Sequence, residues 1–277
     1  MDVSLGAWDL RHLLLSLEDR PRDRPDRDDL EDVVARAVTA LASVPLRPTV
    51  KVPRSSIAPA LVEGVPLWLF ETNAWVLAPA GAGGDCIIVD VPPAPGRLVE
   101  RLRRLRLRPT GIVVTHAHFD HAGGVAALLD AFGGEVPVYV HPGDREQVLH
   151  PELDGVLARS CPDVRPAPAG ALVDFADGDE VTLDGLILRA RHVPGHTAGS
   201  TCLMVEGAAS PLLFTGDTLF AGGTGRCDLP GGSRSLAEAS LRALLETLPA
   251  ETIVLPGHGG ITTVGEEREV SDPTLAA

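Results

Sequence analysis

A dense group of possible metal ligands lies in residues 111–124, which read GIVVTHAHFDHAGG. The apolar run Ile112–Val114 is typical of a buried strand. Four polar side chains follow within seven positions: His116, His118, Asp120 and His121. Unpaired, they would destabilise a core, whereas imidazole nitrogens and carboxylate oxygens are good ligands for zinc, iron and manganese. We therefore predict that a metal site uses them.

Three further candidate ligands occur later in the chain, each after an apolar run and beside glycine. They are His196 in RHVPGHTAGS, Asp217 in FTGDTLF and His258 in LPGHGG. Glycine permits the tight turns that bring backbone and side chain close to an ion. These three residues are expected to join the first four.

The spacing of the ligands predicts two metal sites rather than one. His116 and His118 are two apart, so on an extended segment they project to the same side. Asp120 and His121 turn toward a second position, at the start of a helix expected near Gly123. Adding His196 to the first site, His258 to the second and Asp217 as a bridge completes the ligand set. We expect two divalent ions, zinc before iron or manganese.

The elements that must position these ligands alternate between short apolar runs and helical patterns. Strand-like runs cut by Gly and Pro include VPLWLF, NAWVLAP, CIIVDV, GIVVTH, VPVYVHP, LILRARHVP, PLLFTGD and TIVLPGHGG. Helical patterns occur in GRLVERLRRLRL, AGGVAALLDAFG and SLAEASLRALLETL. Strands mixed with covering helices predict an α/β chain with layered sheets.

Residues 1–60 differ in pattern from residues 61–277, which form the predicted main domain. In DDLEDVVARAVTALASV, apolar residues recur at helical spacing after a possible aspartate N-cap. The preceding EDRPRDRPDRDD is charged and broken by proline, as in a solvated loop. We interpret residues 1–60 as an accessory helical segment that packs on the domain, forms a lid or contacts a second protomer in a homodimer.

Composition excludes several classes of partner. The formal net charge of −14 disfavours nucleic acid, because phosphate binding needs an excess of Lys and Arg on one face. No apolar run approaches the roughly 20 residues that a membrane span needs. The N-terminus shows no clean signal peptide, so a cytoplasmic location is expected. The four cysteines lie far apart without a CxxC pair, which favours buried free thiols.

The motifs THAHFDH, VPGHTAGS, FTGDTLF and LPGHGG resemble, in order, the metal motifs of the metallo-β-lactamase superfamily. The resemblance covers about residues 61–277. It implies an αβ/βα four-layer sandwich with metals at one edge, here with an N-terminal helical extension. GDTLFAGGTGRCDLPGGS and PGHGGITTVGEERE look like compact bacterial glyoxalase II-like hydrolases, which carry GR-x-D and T-x-GxER elements.

The resemblance implies an enzyme, a dinuclear-metal hydrolase that cleaves a hydroxyacyl thioester by a metal-bridging hydroxide. Asp120 is the candidate for orienting that hydroxide, and the partner is a small acyl-thiol substrate. Arg226, in the GR-x-D element, is predicted to hold a substrate carboxylate, or else to pair with Asp228. No helical C-terminal domain of the kind that binds glutathione is expected after His258, which leaves the thiol carrier open.

Other activities of the same superfamily remain open. A persulfide dioxygenase would hold one Fe(II) with His116, His196 and Asp217. A lactonase would open an ester ring with the same hydroxide. A β-lactamase is disfavoured by the missing signal peptide, and an RNA-processing nuclease by the acidic charge. A non-catalytic scaffold would be expected to have lost ligands, yet all seven positions are occupied.

Overall fold

The computed structural model describes residues 45–52, 61–133, 135–151, 161, 163–208 and 210–271. Two β-sheets organise this part of the chain. The first has seven strands in sequence order: β1 Val50–Lys51, β2 Leu61–Leu67, β3 Thr72–Ala78, β4 Asp85–Val89, β5 Arg108–Val113, β6 Val138–Val140 and β7 Leu172–Asp174. Strands β1 to β4 pair antiparallel, and β4 to β7 pair parallel.

The second sheet has six strands in the order β13-β12-β11-β10-β9-β8. They are β8 Glu180–Leu183, β9 Leu186–His192, β10 Thr201–Glu206, β11 Leu212–Gly216, β12 Ile253–Pro256 and β13 Thr262–Thr263. Only the β11 and β12 pair is parallel. The helices are α1 Gly96–Leu105, α2 Phe119–Ala122, α3 Val125–Phe132, α4 Arg145–Leu149, α5 Arg234–Thr247 and α6 Val264–Ser271, with 3-10 turns at Pro142–Asp144 and Ala169–Ala171.

The inner faces of the two sheets meet in one apolar layer. Trp75 on β3 contacts Phe214 on β11, with ring centroids 6.0 Å apart. Because side chains alternate along a strand, Ile87 and Val89 also face this layer, while Ile88 between them faces the other way. Burial on both faces explains why the central strands are apolar runs rather than alternating patterns.

Helices cover the outer face of each sheet. Leu98 and Leu102 of α1 pack with Leu128 and Leu129 of α3 in the core on the first sheet. On the second sheet, the buried pair Leu244 and Leu245 of α5 packs with Leu213 and Val254, among others. The order is therefore helix, sheet, sheet, helix. The α/β sandwich expected from the sequence is confirmed.

The main departures from the predicted elements are one turn and five strands. The run VPLWLF was expected to be strand throughout, but β2 ends at Leu67, and Trp68 and Glu71 take left-handed backbone conformations with φ of 54° and 50°. Strands β1, β7, β8, β10 and β13 were not predicted. Among the described residues, no helix is long and apolar enough to cross a bilayer.

The division of the chain at residue 60 stays a prediction. The helix expected near residues 28–44 lies outside the described residues. Val50 and Lys51, inside the proposed accessory segment, pair with Gly64 and Glu63 of β2.

Three of the four cysteines are buried. Burial raises the pKa of the Cys86, Cys161 and Cys202 thiols to about 12, and Cys227 is half-buried.

Candidate metal centre

The predicted ligands meet at one edge of the sandwich because each follows the end of a strand. The histidine-rich loop leaves β5, and its last two candidates, Asp120 and His121, lie on the short helix α2 rather than at the start of a longer helix. His196 follows β9, Asp217 follows β11 directly, and His258 follows β12. All seven side chains come together, although up to 142 positions separate them, from His116 to His258.

The first group contains three histidines. His118 Nδ1 lies 2.8 Å from His196 Nε2, and His116 Nε2 lies 3.1 Å from the same atom. The three ligand atoms lie within 4.8 Å of one another, close enough to share one ion. This is the set predicted for the first metal.

The second group combines one aspartate with two histidines. His258 Nε2 lies 3.3 Å from His121 Nε2 and 3.3 Å from Asp120 Oδ2. These three atoms also lie within 4.8 Å of one another. They are the residues predicted for the second metal.

Asp217 stands between the groups, with one carboxylate oxygen toward each. Its Oδ1 lies 3.2 Å from His121 Nε2, and its Oδ2 lies 3.7 Å from His196 Nε2. Close backbone packing is needed here: a Cβ on Gly257 would lie 2.6 Å from Asp217 Oδ1 and 2.5 Å from His121 Cε1. The position of Asp217 fits the predicted bridging role.

Hydrogen bonds at the far side of the rings fix which nitrogen faces the centre. Carbonyl oxygens can only accept, so His196 Nδ1 donates to Arg226 O at 2.5 Å and His258 Nδ1 donates to Phe70 O at 3.1 Å. His121 Nδ1 donates to Asp90 Oδ2 at 2.7 Å. Their Nε2 atoms therefore face the centre, the arrangement in which histidines bind metals.

The pKa values of the rings depend on their neighbours. Burial, then the nearby His121 and His196, hold the pKa of His116 well below its ordinary value. Burial and His196 lower the pKa of His118 to about 3. Burial also tends to lower the pKa of His121. The carboxylates of Asp217, Asp120 and Asp90 outweigh this effect and raise the pKa of His121 well above its ordinary value.

The donor set fits two divalent cations. Buried imidazole lone pairs that face one another at about 3 Å repel unless a cation or proton lies between them. The two aspartates supply negative charge to offset that of the ions. Zinc, iron and manganese all accept a set of nitrogen and carboxylate oxygen donors.

Sequence reasoning missed two buried aspartates that support the ligand loops. Asp90 accepts from His121 Nδ1 and from the backbone N–H of Thr115. Asp144 accepts from the backbone N–H of Ala117. Asp90 comes directly after β4 and Asp144 shortly after β6, so position after a strand alone, without the requirement for an adjacent glycine, would have found Asp90 and pointed to the Asp144 loop.

Arg226 lies beside the centre, and its guanidinium is engaged. Its Nε and Nη2 donate to the two carboxylate oxygens of Asp228, both at 2.6 Å. This hydrogen bonding to Arg226 lowers the pKa of Asp228. Arg226 lines a cavity of about 510 Å³ together with His196 and Asp217. The ion pair expected as one alternative is present, and the substrate role of Arg226 stays a prediction.

Comparison with known proteins places this centre in a family. The family model of the metallo-beta-lactamase superfamily matches residues 67–258, from the end of β2 to the last candidate ligand. The chain belongs to the metallo-β-lactamase superfamily. Members of this superfamily are generally metal-dependent hydrolases.

Within the superfamily, the chain is similar both to a hydroxyacylglutathione hydrolase and to a metallo-beta-lactamase. Hydroxyacylglutathione hydrolase GloC of Haemophilus influenzae is 30% identical over 210 residues, which cover 76% of this chain and 90% of GloC. The crystal structure of the BLEG-1 B3 metallo-beta-lactamase is 35% identical with a TM-score of 0.66, covering 78% of this chain and all of that one.

A third relative bears on the metal. The crystal structure of TTHA1623 in a di-iron-bound form is 35% identical with a TM-score of 0.63, covering 76% of this chain and 98% of that one. The resemblance drawn from the sequence motifs is confirmed.

Proposed function

We propose that this protein is a dinuclear-metal hydrolase that cleaves a small acyl-thiol substrate, a hydroxyacyl thioester, through a metal-bridging hydroxide. The observation that carries the proposal is the convergence of seven candidate ligands in overlapping groups of three, with one Asp217 oxygen toward His121 and the other toward His196. A single ion would not need Asp120, His121 and His258 to converge. Similarity to the hydroxyacylglutathione hydrolase GloC supports a thioester as substrate.

Two cations held by these residues would lower the pKa of a bridging water toward 7 and polarise the acyl carbonyl. We assign to Asp120 the role of accepting a hydrogen bond from the attacking hydroxide. Its Oδ2 accepts from Thr72 Oγ1 at 3.2 Å, which holds the carboxylate in one orientation. The thiol of the leaving group has a pKa near 8.5, so it can leave as the thiolate and no protein acid has to protonate it.

Zinc is the metal that we propose, with a cytoplasmic location for the enzyme. Both follow from the sequence arguments above. Similarity to a structure in a di-iron-bound form keeps iron as the alternative.

A mononuclear iron dioxygenase is the strongest competing function. Its ligands, His116, His196 and Asp217, also lie together: His116 Nε2 is 3.1 Å and Asp217 Oδ2 is 3.7 Å from His196 Nε2. That reaction leaves Asp120 and His258 without a metal to bind. Hydrolysis uses all seven residues, so we prefer it.

The test compares wild-type protein with His258→Ala and, as a matched control, His150→Ala. His150 is exposed just after α4, and its Nε2 lies 3.8 Å from Glu146 Oε2. Release of free thiol from S-lactoylglutathione is measured for all three proteins, together with oxygen uptake in the presence of glutathione persulfide. Wild type and His150→Ala should release thiol, and His258→Ala should lose most of this activity.

Oxygen uptake by wild type and His258→Ala alike, without thiol release, would instead establish the dioxygenase. A chromogenic cephalosporin and a simple lactone serve as further substrates. Hydrolysis of either one at a higher kcat/KM than any thioester would contradict the proposed substrate class while leaving the hydrolase assignment in place.

A further inference from the structure

Asp144 is a buried carboxylate whose hydrogen bonds join two loops that carry candidate ligands. It is 2% exposed and lies at the end of the 3-10 turn Pro142–Asp144. Its Oδ2 accepts from the backbone N–H of Ala117 at 2.9 Å and from Thr197 Oγ1 at 2.7 Å. Its Oδ1 accepts from the backbone N–H of Gly199 at 2.6 Å.

The positions of these donors decide which ligands Asp144 affects. Ala117 lies between His116 and His118, and Thr197 follows His196 directly. One carboxylate therefore joins the two loops that supply the entire first group of histidines. All three donors are neutral, so the contact is a set of directed hydrogen bonds rather than an ion pair.

The two loops around Asp144 pack closely at two glycines. A Cβ on Gly199 would lie 2.5 Å from Asp144 Cγ, and a Cβ on Gly143 would lie 3.1 Å from the Ala198 carbonyl carbon. Glycine at both positions lets the turn after β6 and the loop after β9 approach to hydrogen-bonding distance. The distance between the two loops is thus set by van der Waals contact at the glycines as well as by hydrogen bonds.

The second group of ligands has separate supports. Asp90 holds His121, the Phe70 carbonyl holds His258, and Thr72 holds Asp120. None of these three contacts involves Asp144. Removal of the Asp144 carboxylate should therefore weaken one metal site selectively.

We infer that Asp144 is a positioning residue for the first metal, holding His116, His118 and His196 in binding geometry before the ion arrives. The inference rests on the dinuclear centre of the proposed function but not on its substrate. In Asp144→Asn, the amide NH₂ replaces one acceptor and faces a donor, either the N–H of Gly199 or that of Ala117. The two loops then lose at least one hydrogen bond and gain a repulsive contact.

The experiment measures Zn²⁺ affinity at each site by competition with a chromophoric chelator. In the His258→Ala background the remaining strong site is the first one, and Asp144→Asn should lower its affinity about 10–100-fold, the usual effect of losing a support of a metal ligand. In the His196→Ala background the remaining site is the second one, and Asp144→Asn should leave its affinity unchanged. Arg145→Ala, next in sequence with its side chain paired to Asp174 on the surface, is the control for both.

Equal losses at both sites, or no loss at the first, would overturn the inference. Circular dichroism of the metal-free variants verifies that each one folds. If Asp144→Asn does not fold, Thr197→Val removes one of the three hydrogen bonds at nearly constant volume and should lower only first-site affinity. Wild-type protein that binds two ions yet cleaves no thioester would contradict the proposed substrate and leave this comparison valid.

Discussion

Asp120 Oδ2 lies 3.3 Å from His258 Nε2, and the same oxygen accepts a hydrogen bond from Thr72 Oγ1. A carboxylate in this position can bind an ion and accept a proton from a water held beside it. In the proposed mechanism, Asp120 therefore has two roles, metal ligand and orienting group for the nucleophile.

Asp120→Asn should lower kcat for thioester cleavage by about 10²–10⁴-fold, because an amide nitrogen cannot accept the hydrogen bond. The volume is nearly unchanged, and the remaining carbonyl oxygen can still accept from Thr72. The melting temperature should stay close to that of wild type. Steady-state kinetics, metal content and thermal unfolding are measured together, and normal turnover at full metal occupancy would exclude the role.

Variants of Arg226 and Asp228 distinguish a substrate-binding role of Arg226 from a structural ion pair. If Arg226 holds a substrate carboxylate, Arg226→Ala should raise KM by about 10–100-fold, the worth of a charge-assisted hydrogen bond, with little change in melting temperature. Asp228→Asn, which weakens the competing pair, should then leave KM unchanged or lower it. A fall in the melting temperature of both variants with unchanged KM would establish the structural ion pair instead.

Glu267 connects the C-terminal helix to the loop that follows Asp217. This buried carboxylate accepts from the Gly222 backbone N–H at 2.9 Å and from Thr262 Oγ1 at 2.7 Å. Glu267→Ala leaves these donors unsatisfied and should cost about 1–3 kcal/mol of unfolding free energy, measured by urea denaturation. It should also speed amide exchange at Gly222. The exposed Glu269→Ala is the control, and equal stability of the two variants would contradict this role.

The pH dependence of the metal-free protein follows from the opposed pKa shifts of the histidines. As pH falls below 6.5, the ordinary pKa of histidine, His116 and His118 take up protons in the unfolded chain but stay neutral in the folded protein, His118 down to about pH 3. Stability should therefore fall over this range. His121 has a raised pKa, so its stabilising contribution is complete below pH 6.5 and is lost as pH rises through its folded value.

These two effects predict a stability maximum near neutral pH for protein treated with a chelator. Melting temperatures measured from pH 4 to pH 9 check it. A melting temperature that rises steadily as the pH falls below 6.5 would contradict the lowered pKa values of His116 and His118.

The ligands could be predicted from the sequence because each one is local. A histidine or aspartate after an apolar run and beside glycine marks a strand end. The candidates can then be grouped because imidazole and carboxylate side chains are both metal ligands. The prediction of two sites came from the spacing within one loop, since His116 and His118 project together from an extended segment.

Other features depend on contacts that spacing does not encode. The turn at Trp68 requires a left-handed φ of 54° at a bulky residue, a conformation with no local sequence signal. β10 is a central strand whose partners β9 and β11 supply its stability, and its TCLMVE pattern lacks strict alternation. Asp144 gains its role only when the turn after β6 packs against the loop after β9.

Metal analysis of protein purified without added metal, paired with substrate turnover, is the most direct test of the proposed dinuclear thioester hydrolase. Metal content per chain is measured by mass spectrometry, thiol release from S-lactoylglutathione by a chromogenic thiol reagent, and oxygen uptake with glutathione persulfide by an electrode. We expect close to two ions per chain together with thiol release. One iron per chain with oxygen uptake and no thiol release would contradict the dinuclear hydrolase.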